Sequence, residues 1–495
     1  MSTDAALLNE LGYEQELERS LPISSNVALG FAGISPVVGL YAVVFVGTVV
    51  AGPAWVWVLP IALAGQCLLL TVYSELASQW PLTGGAYQWT RRLMGEGYGW
   101  ITGWVAIWAY LVANTTVAYL GAPWALAVFG IEPTANRIVV TGMVLVVICA
   151  IAGALGVQVL ARAVKAGIAA EVVASVGIGL ALLLVFRENG PSLLTHTLGA
   201  EALSGGSTGA ALLAALAVGG WVFIGFDCCV AASEETHDAA RHVPRAIWIA
   251  LLSVAALVML NAVAATLAHP DPASVVAGED PDPVATAVAS GFGSWSEKPF
   301  AAIVLVAFLA CGMAAQALTA RTVFSLSRDG ALPASRSLRV VDRRHVPIGA
   351  VVLTTIVACL GLLLGLNSAA VGSLITFGTA AIYLTFFLIA LAALIARVTG
   401  RWVGRRAATL NALAVAWLAF ETVNIAWPRR SLAPPDAPDY QVWAAPLFIG
   451  AVCVFGLIYL VVARPDRRAA LGDADPANLG GAGAAGHELG EQAQR

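Results

Sequence analysis

Four carboxylates stand inside long apolar runs of this 495-residue chain: Glu75, near the inner end of its run, and Glu171, Asp227 and Glu421 in mid-run. A charge is expensive inside a membrane, so an acid there has a partner or faces a water-filled cavity, and marks an ion or substrate path by default. Asp227 has the most suggestive surroundings. It ends the stretch Gly219-Gly220-Trp221-Val222-Phe223-Ile224-Gly225-Phe226-Asp227, where paired glycines and a third interrupt an apolar helix. Two readings of it stay open: proton exchange or contact with an amine, and an N-cap whose oxygen takes the free amides of a restarted helix. Glu421 has Asn424 one turn on, on the same face, and contact between helices or within a dimer is the preferred reading. Aromatic rings offer a second kind of chemistry. Trp108, Tyr110, Trp221, Phe223, Phe226 and Tyr383 can form a box that holds an alkylammonium group, at about 0.5–2 kcal/mol per ring.

Other chemistries find no support. All seven cysteines lie in apolar runs and no Cys/His spacing suits zinc; the six histidines lie outside those runs. No loop shows a nucleophile–base pattern. The expectation is therefore no metal, no cofactor and no enzyme. A net charge of −4 offers no basic surface to nucleic acid.

The elements that must carry these side chains follow from composition. The chain is 59% hydrophobic and 11% charged, with a mean hydropathy of +0.82. Soluble domains are about a quarter charged. Twelve apolar runs are read at 26–50, 56–78, 100–128, 138–158, 166–186, 209–232, 245–268, 299–325, 348–366, 371–396, 408–427 and 441–463, each long enough to span a bilayer as a helix. Alternating segments of a membrane β-barrel are absent. With the N-terminus placed in the cytoplasm, only Arg137, Arg187, Lys298, Arg429 and Arg430 fall in outer segments, and the other Lys and Arg are inside. That asymmetry predicts a cytoplasmic membrane protein with both termini inside. Residues 1–25 are polar and acidic, which predicts a cytoplasmic segment and no cleaved signal peptide. The Gly/Ala-rich tail 469–495 predicts disorder. The loop 269–298, with Asp271, Glu279, Asp280 and Asp282 among prolines, predicts a solvated loop.

Two spans interrupt their own helix. Span 1 reads Ala32-Gly33-Ile34-Ser35-Pro36-Val37-Val38-Gly39, where Pro36 removes an amide and clashes with the preceding turn. Span 6 carries the glycines before Asp227. These spans stand five apart, so 26–186 and 209–396 predict two inverted repeats of five helices, with 408–463 appended as spans 11 and 12. Matched interrupted spans point to a midplane binding site in a transporter. Ile34, Ser35, Val38 and Gly39 in span 1, and Trp221, Phe223, Ile224, Gly225 and Phe226 in span 6, are the predicted substrate contacts, with Tyr383 of span 10.

Several motifs now fall into a known order. Leu11-Gly12-Tyr13 with Glu16-Leu17 and Arg19 precedes Ala28-Leu29-Gly30-Phe31 and Ile34-Ser35-Pro36 to Gly39. Glu75-Leu76-Ala77-Ser78, Pro81, Gly84-Gly85, Tyr87, Trp89 and Gly103-Trp104 follow span 2. Phe223-Ile224-Gly225-Phe226-Asp227 leads to Glu234-Glu235-Thr236 and Pro244, and Arg328-Asp329-Gly330 with Pro333 follows span 8. In this the chain resembles the amino acid–polyamine–organocation transporters, and within them the amino acid/choline/GABA permease branch. The resemblance implies an all-α polytopic fold of five plus five inverted helices and two more. It implies secondary active transport of an amino acid or small amine by alternating access; a binding receptor without transport is the alternative. By position, Gly39 and its neighbours would face a substrate carboxylate, and Trp221 would close over substrate with Ile224 one turn on. Asp227 would respond to protons. Glu171 stands near a lysine position of proton-coupled relatives, which makes it a second proton-coupling candidate beside a purely structural bond between helices. Many amino acid members carry Gly-Ser-Gly where this chain has Val37-Val38-Gly39. Two β-branched residues restrict and shield that backbone, leaving room for an ω-amino acid or an amine. Span 8 reads Cys311-Gly312-Met313-Ala314-Ala315-Gln316, poor in the hydroxyl oxygens that sodium wants, so protons or exchange are the expected coupling. Implied partners are a small-molecule substrate, the bilayer and a homodimer through spans 11 and 12.

Overall fold

The computed structural model describes residues 3–366, 368–432 and 438–465, and the side chains of all of these except 368–375 and 440. The tail predicted over 469–495 lies outside the described residues. Every apolar run forms a helix, as it must where no water can satisfy the backbone. Among the described residues, extended pairing is limited to a single bridge, Leu21 with Thr236.

Among the described residues, eleven stretches are long and apolar enough to cross a membrane. The first, Ile23–Gln79, holds runs 1 and 2 together; it is cut at Ser35 and again by the 3-10 turn Gly52–Trp57. The run numbers above are kept here. Spans 1, 3, 6, 8 and 10 bury most of their apolar surface against protein, whereas the span-12 helix Ala444–Ala463 buries only 17% of its apolar window. The interrupted helices are therefore central, and span 12 presents its leucines and valines outward.

Span 1 divides into Ile23–Ile34 and Pro36–Ala51. Pro36 opens the second half at the position where its missing amide costs nothing. Ser35 between them takes φ 47°, ψ 113°. The interruption in span 6 falls at the third of the three glycines read there. Gly219 and Gly220 are both helical, with φ −58°, and pass into the turn Gly220–Phe223. The true break is Ile224-Gly225-Phe226, where Gly225 has φ 116°. Glycine in a helix costs only about 1 kcal/mol, which packing overrides; a φ of 116° admits almost nothing but glycine.

The loop after span 7 also differs from a plain solvated segment. Two short helices, Pro272–Val276 and Pro283–Phe292, fold over this face with Val275, Val284 and Ala287 buried. Asp271 and Asp282 cap them, accepting from Ala273 N–H at 3.1 Å and Ala285 N–H at 3.2 Å. His269 Nε2 meets Asp280 Oδ2 at 2.9 Å. Burial pushes the Asp282 carboxyl up to about 6, with Asp280 adding to it.

Two predictions follow from these elements. A methyl at Gly225 would lie 2.2 Å from Gly33 O in addition to the backbone strain. Gly225→Ala is expected to cost about 2 kcal/mol or more, seen as a lower melting temperature in detergent, while Gly97→Ala, which meets nothing within 4 Å, is silent. At Asp282 the fold prefers the protonated acid. That contribution is complete below 3.8 and lost as pH rises through about 6. Asp282→Asn keeps the cap and abolishes the titration. It should add roughly 1 kcal/mol at pH ~7.5 after allowance for solvent screening, and nothing at pH ~4, in melts across pH.

Candidate functional site

The conformation at Ser35 is held from three directions. Its N–H donates to Phe31 O at 2.7 Å. Its hydroxyl donates to Glu171 Oε1 of span 5 at 2.5 Å and accepts from Val38 N–H at 3.1 Å. Glu171 Oε1 also accepts from Val37 N–H at 3.0 Å. Glu171 is fully buried, and its Oε2 has no hydrogen-bond partner.

The two breaks touch through bare backbone. A methyl on Gly33 would sit 2.5 Å from Gly225 O and 2.6 Å from Cys228 Sγ. One on Gly39 would sit 3.0 Å from Val222 O. Beside this contact lies a cavity with ≈ 520 Å³ not filled by atoms, counted out to its mouth. Gly33, Ile34 and Val38 line it from span 1, and Trp221, Ile224, Gly225, Asp227 and Cys228 from span 6. Span 3 adds Tyr110, Ala113 and Val117, and span 8 adds Cys311, Ala315 and Leu318. Asp227 is 4% exposed, and its Oδ2 has no hydrogen-bond partner. It is the first residue of the helix Asp227–Ala231, with Phe226 in the cap position and no side-chain cap bond, so the N-cap geometry is not realised. Asp227, Tyr110 and Leu318 also line a second, smaller cavity with Tyr73, Gly84 and Thr322, so Asp227 stands in the wall between the two.

Of the residues singled out in the sequence, Ile34, Val38, Tyr110, Trp221, Ile224, Gly225 and Asp227 line the cavity. Ser35, Gly39 and Glu171 lie behind it, in the hinge of span 1. Phe223 is fully buried. Phe226 stacks on Phe386 at 5.3 Å and meets Tyr73 edge-on at 5.3 Å. Tyr383 accepts from Gln66 Nε2 at 2.7 Å and donates to Gly220 O at 3.3 Å, tying span 10 to the end of the first half of span 6. Trp108 packs against Trp104, away from the cavity wall. Glu421 accepts from Asn424 Nδ2 at 3.2 Å, and Asn424 Nδ2 also reaches Leu213 O at 3.1 Å, joining span 11 to span 6. Sequence reasoning missed Ala113 with Val117 and Cys311 with Ala315 and Leu318. Their spacing of three and four residues along spans 3 and 8 was the available signal.

The face that bears the N-terminal segment carries buried charge pairs. Arg328 pairs with both oxygens of Glu234, at 2.9 and 3.0 Å, and Arg321 with both of Glu235, at 2.6 and 2.8 Å. Arg91 reaches Asp329 at 2.7 Å. The Tyr13 hydroxyl sits within 3.1 Å of Gln88 and Asp329, under the Arg328 guanidinium at 3.9 Å from its ring. Burial, then the Asp329 charge, pushes the Tyr13 hydroxyl far up. Ser20 and Leu21 N–H both donate to Glu235 O. The segment before span 1 is thus strapped across the loops that follow spans 2, 6 and 8.

The amino acid permease family model matches residues 24–458. The chain is 25% identical to an uncharacterised amino-acid permease of Schizosaccharomyces pombe, over 92% of this chain and 85% of that protein. It is 28% identical to the vacuolar cationic amino acid transporter 2 of Arabidopsis thaliana, over 79% of this chain but only 61% of that protein. It is 26% identical to the amino-acid permease BAT1 homolog of Oryza sativa subsp. japonica, over 93% of each.

Removing the Tyr13 hydroxyl tests the strap. Tyr13→Phe is expected to weaken closure by about 1 kcal/mol, hence roughly fivefold in opening. The readout is the rate of Cys228 alkylation in detergent, with Cys359 as the internal control; an unchanged Cys228 rate rules the strap out.

Proposed function

We propose, because the chain belongs to the amino acid permease family, that it is a secondary active transporter that carries an amino acid or a small amine such as GABA or choline by alternating access. The observation that carries this reading is the contact between two broken helices beside a cavity that holds one buried acid. Asp227 suits a cationic group, and so does the negative dipole end of each first half-helix. Trp221 adds an aromatic face. Ile23–Gln79, taken as two crossings, brings the count to twelve and supports two inverted repeats, 26–186 and 209–396. The strapped face is then cytoplasmic, in the cytoplasmic membrane, in agreement with the placing of Lys and Arg. Spans 11 and 12 are the proposed dimer contact, since span 12 is the least covered helix.

Coupling to protons is the favoured drive. Asp227 stands between two cavities and is positioned to meet a proton from either. Glu171 is the second candidate, at the hinge of span 1. Span 8 presents Cys311 and Ala315 to the cavity, and neither offers a side-chain oxygen to sodium.

The test is reconstitution in liposomes with a panel of amino acids, GABA, polyamines, choline and ethanolamine, under imposed proton or sodium gradients. Uptake driven by a pH gradient is expected for part of the panel, and Asp227→Asn should lower it by about tenfold or more. A ligand that binds but never accumulates would favour a receptor.

A further inference from the structure

We propose that Glu171 is a built-in replacement for a substrate carboxylate, so that the site recognises a cationic amine and makes no demand for an α-carboxylate. This rests on the permease reading above and narrows its substrate class.

The argument is an inventory of donors. A helix start leaves up to four backbone amides without an intrahelical partner, and these are what a carboxylate would use. At the second half of span 1, Pro36 has no N–H. Val37 N–H is taken by Glu171 Oε1 at 3.0 Å and Val38 N–H by Ser35 Oγ at 3.1 Å. Gly39 N–H is taken by Ser35 O at 2.9 Å. The Ser35 hydroxyl hydrogen goes to the same Glu171 oxygen at 2.5 Å. No donor of that turn is left over, and the group that took the first of them is itself a carboxylate.

The cavity wall points the same way. Among the described residues its only charged side chain is Asp227, with no Lys, Arg or His in the lining. The two thiols in the wall already face carbonyls, Cys228 toward Ala314 O at 3.5 Å and Cys311 toward Gly33 O at 3.7 Å. A carboxylate placed here would meet the like charge of Asp227, toward which the Tyr110 hydroxyl in the same wall is turned. An ammonium meets Asp227, whose Oδ2 has no close hydrogen-bond donor. A site built to hydrogen-bond a group rejects the analogue that lacks it by orders of magnitude; this site has no such contact to lose.

The test compares amino acids with their decarboxylated amines on the full-length protein in detergent: L-lysine with cadaverine, L-ornithine with putrescine, and L-leucine with 3-methylbutylamine. Affinity is read from ligand-dependent thermal stabilisation. Each amine that binds is expected within about threefold of its amino acid, and 4-methylpentanoate, which has the acid without the amine, is expected not to bind. In Glu171→Ala the Val37 amide is released, and preference should move about tenfold or more toward the amino acid. A wild-type protein that binds the amino acid about tenfold tighter than the amine overturns the proposal whether or not Glu171→Ala folds. So does a folded Glu171→Ala with an unmoved ratio. Binding by no member of the panel, acid or amine, instead overturns the permease reading on which it stands.

Discussion

The structure depends on one close approach, the backbone of Gly33 against the backbone of Gly225. Neither position tolerates a side chain, because a methyl on either would penetrate the other's carbonyl. Two helices that meet this closely at their breaks leave peptide groups with no helical partner, in a place where water is scarce. Each group must then be satisfied by something specific. On span 1 that something is Ser35 and Glu171, which absorb the amides. At Gly225 the carbonyl is taken by Cys228 N–H at 3.1 Å, and at Gly33 it faces the Cys311 thiol at 3.7 Å, so Asp227 is what gives the cavity its acceptor character.

The charge pairs on the N-terminal face obey a different logic. Glu234 with Arg328, and Glu235 with Arg321, are buried pairs with two-point geometry. Burying such charges costs several kcal/mol per ion, which their attraction only roughly offsets. Leucines in the same places would hold the bundle at least as well. Ion pairs differ in being able to separate into water and be re-made. The N-terminal segment crosses this face through Tyr13, Ser20 and Leu21.

The sequence shows some of this and hides the rest for physical reasons. Apolar runs become helices because a bilayer leaves no alternative, so the layout is legible throughout. The break in span 1 is legible because Pro36 removes an amide wherever it stands. The break in span 6 is legible only to within a few residues: three glycines interrupt the run, and of them only Gly225 takes a backbone conformation that needs glycine. Asp227 is legible as a lone acid, whereas its place between two cavities depends on spans 3 and 8. Glu171 lies 136 residues from Ser35, and no local pattern reports a bond over that distance. Tyr383 looks like a ring for substrate and is spent on Gly220 and Gln66.

Span 5 carries the last step. Its helix, Val157–Leu184, has only 33% of its apolar window buried, yet Glu171 on it is fully enclosed. A peripheral helix thus inserts one polar group into the hinge of the central one. Ser35 has φ 47°, a conformation that costs a non-glycine residue of order 1–3 kcal/mol and persists only when neighbours hold it. Two of the bonds around it end on the same Glu171 oxygen. The other two, to Phe31 O and from Val38 N–H, stay within span 1, so the carboxyl of Glu171 is the contact through which span 5 reaches the bend of span 1.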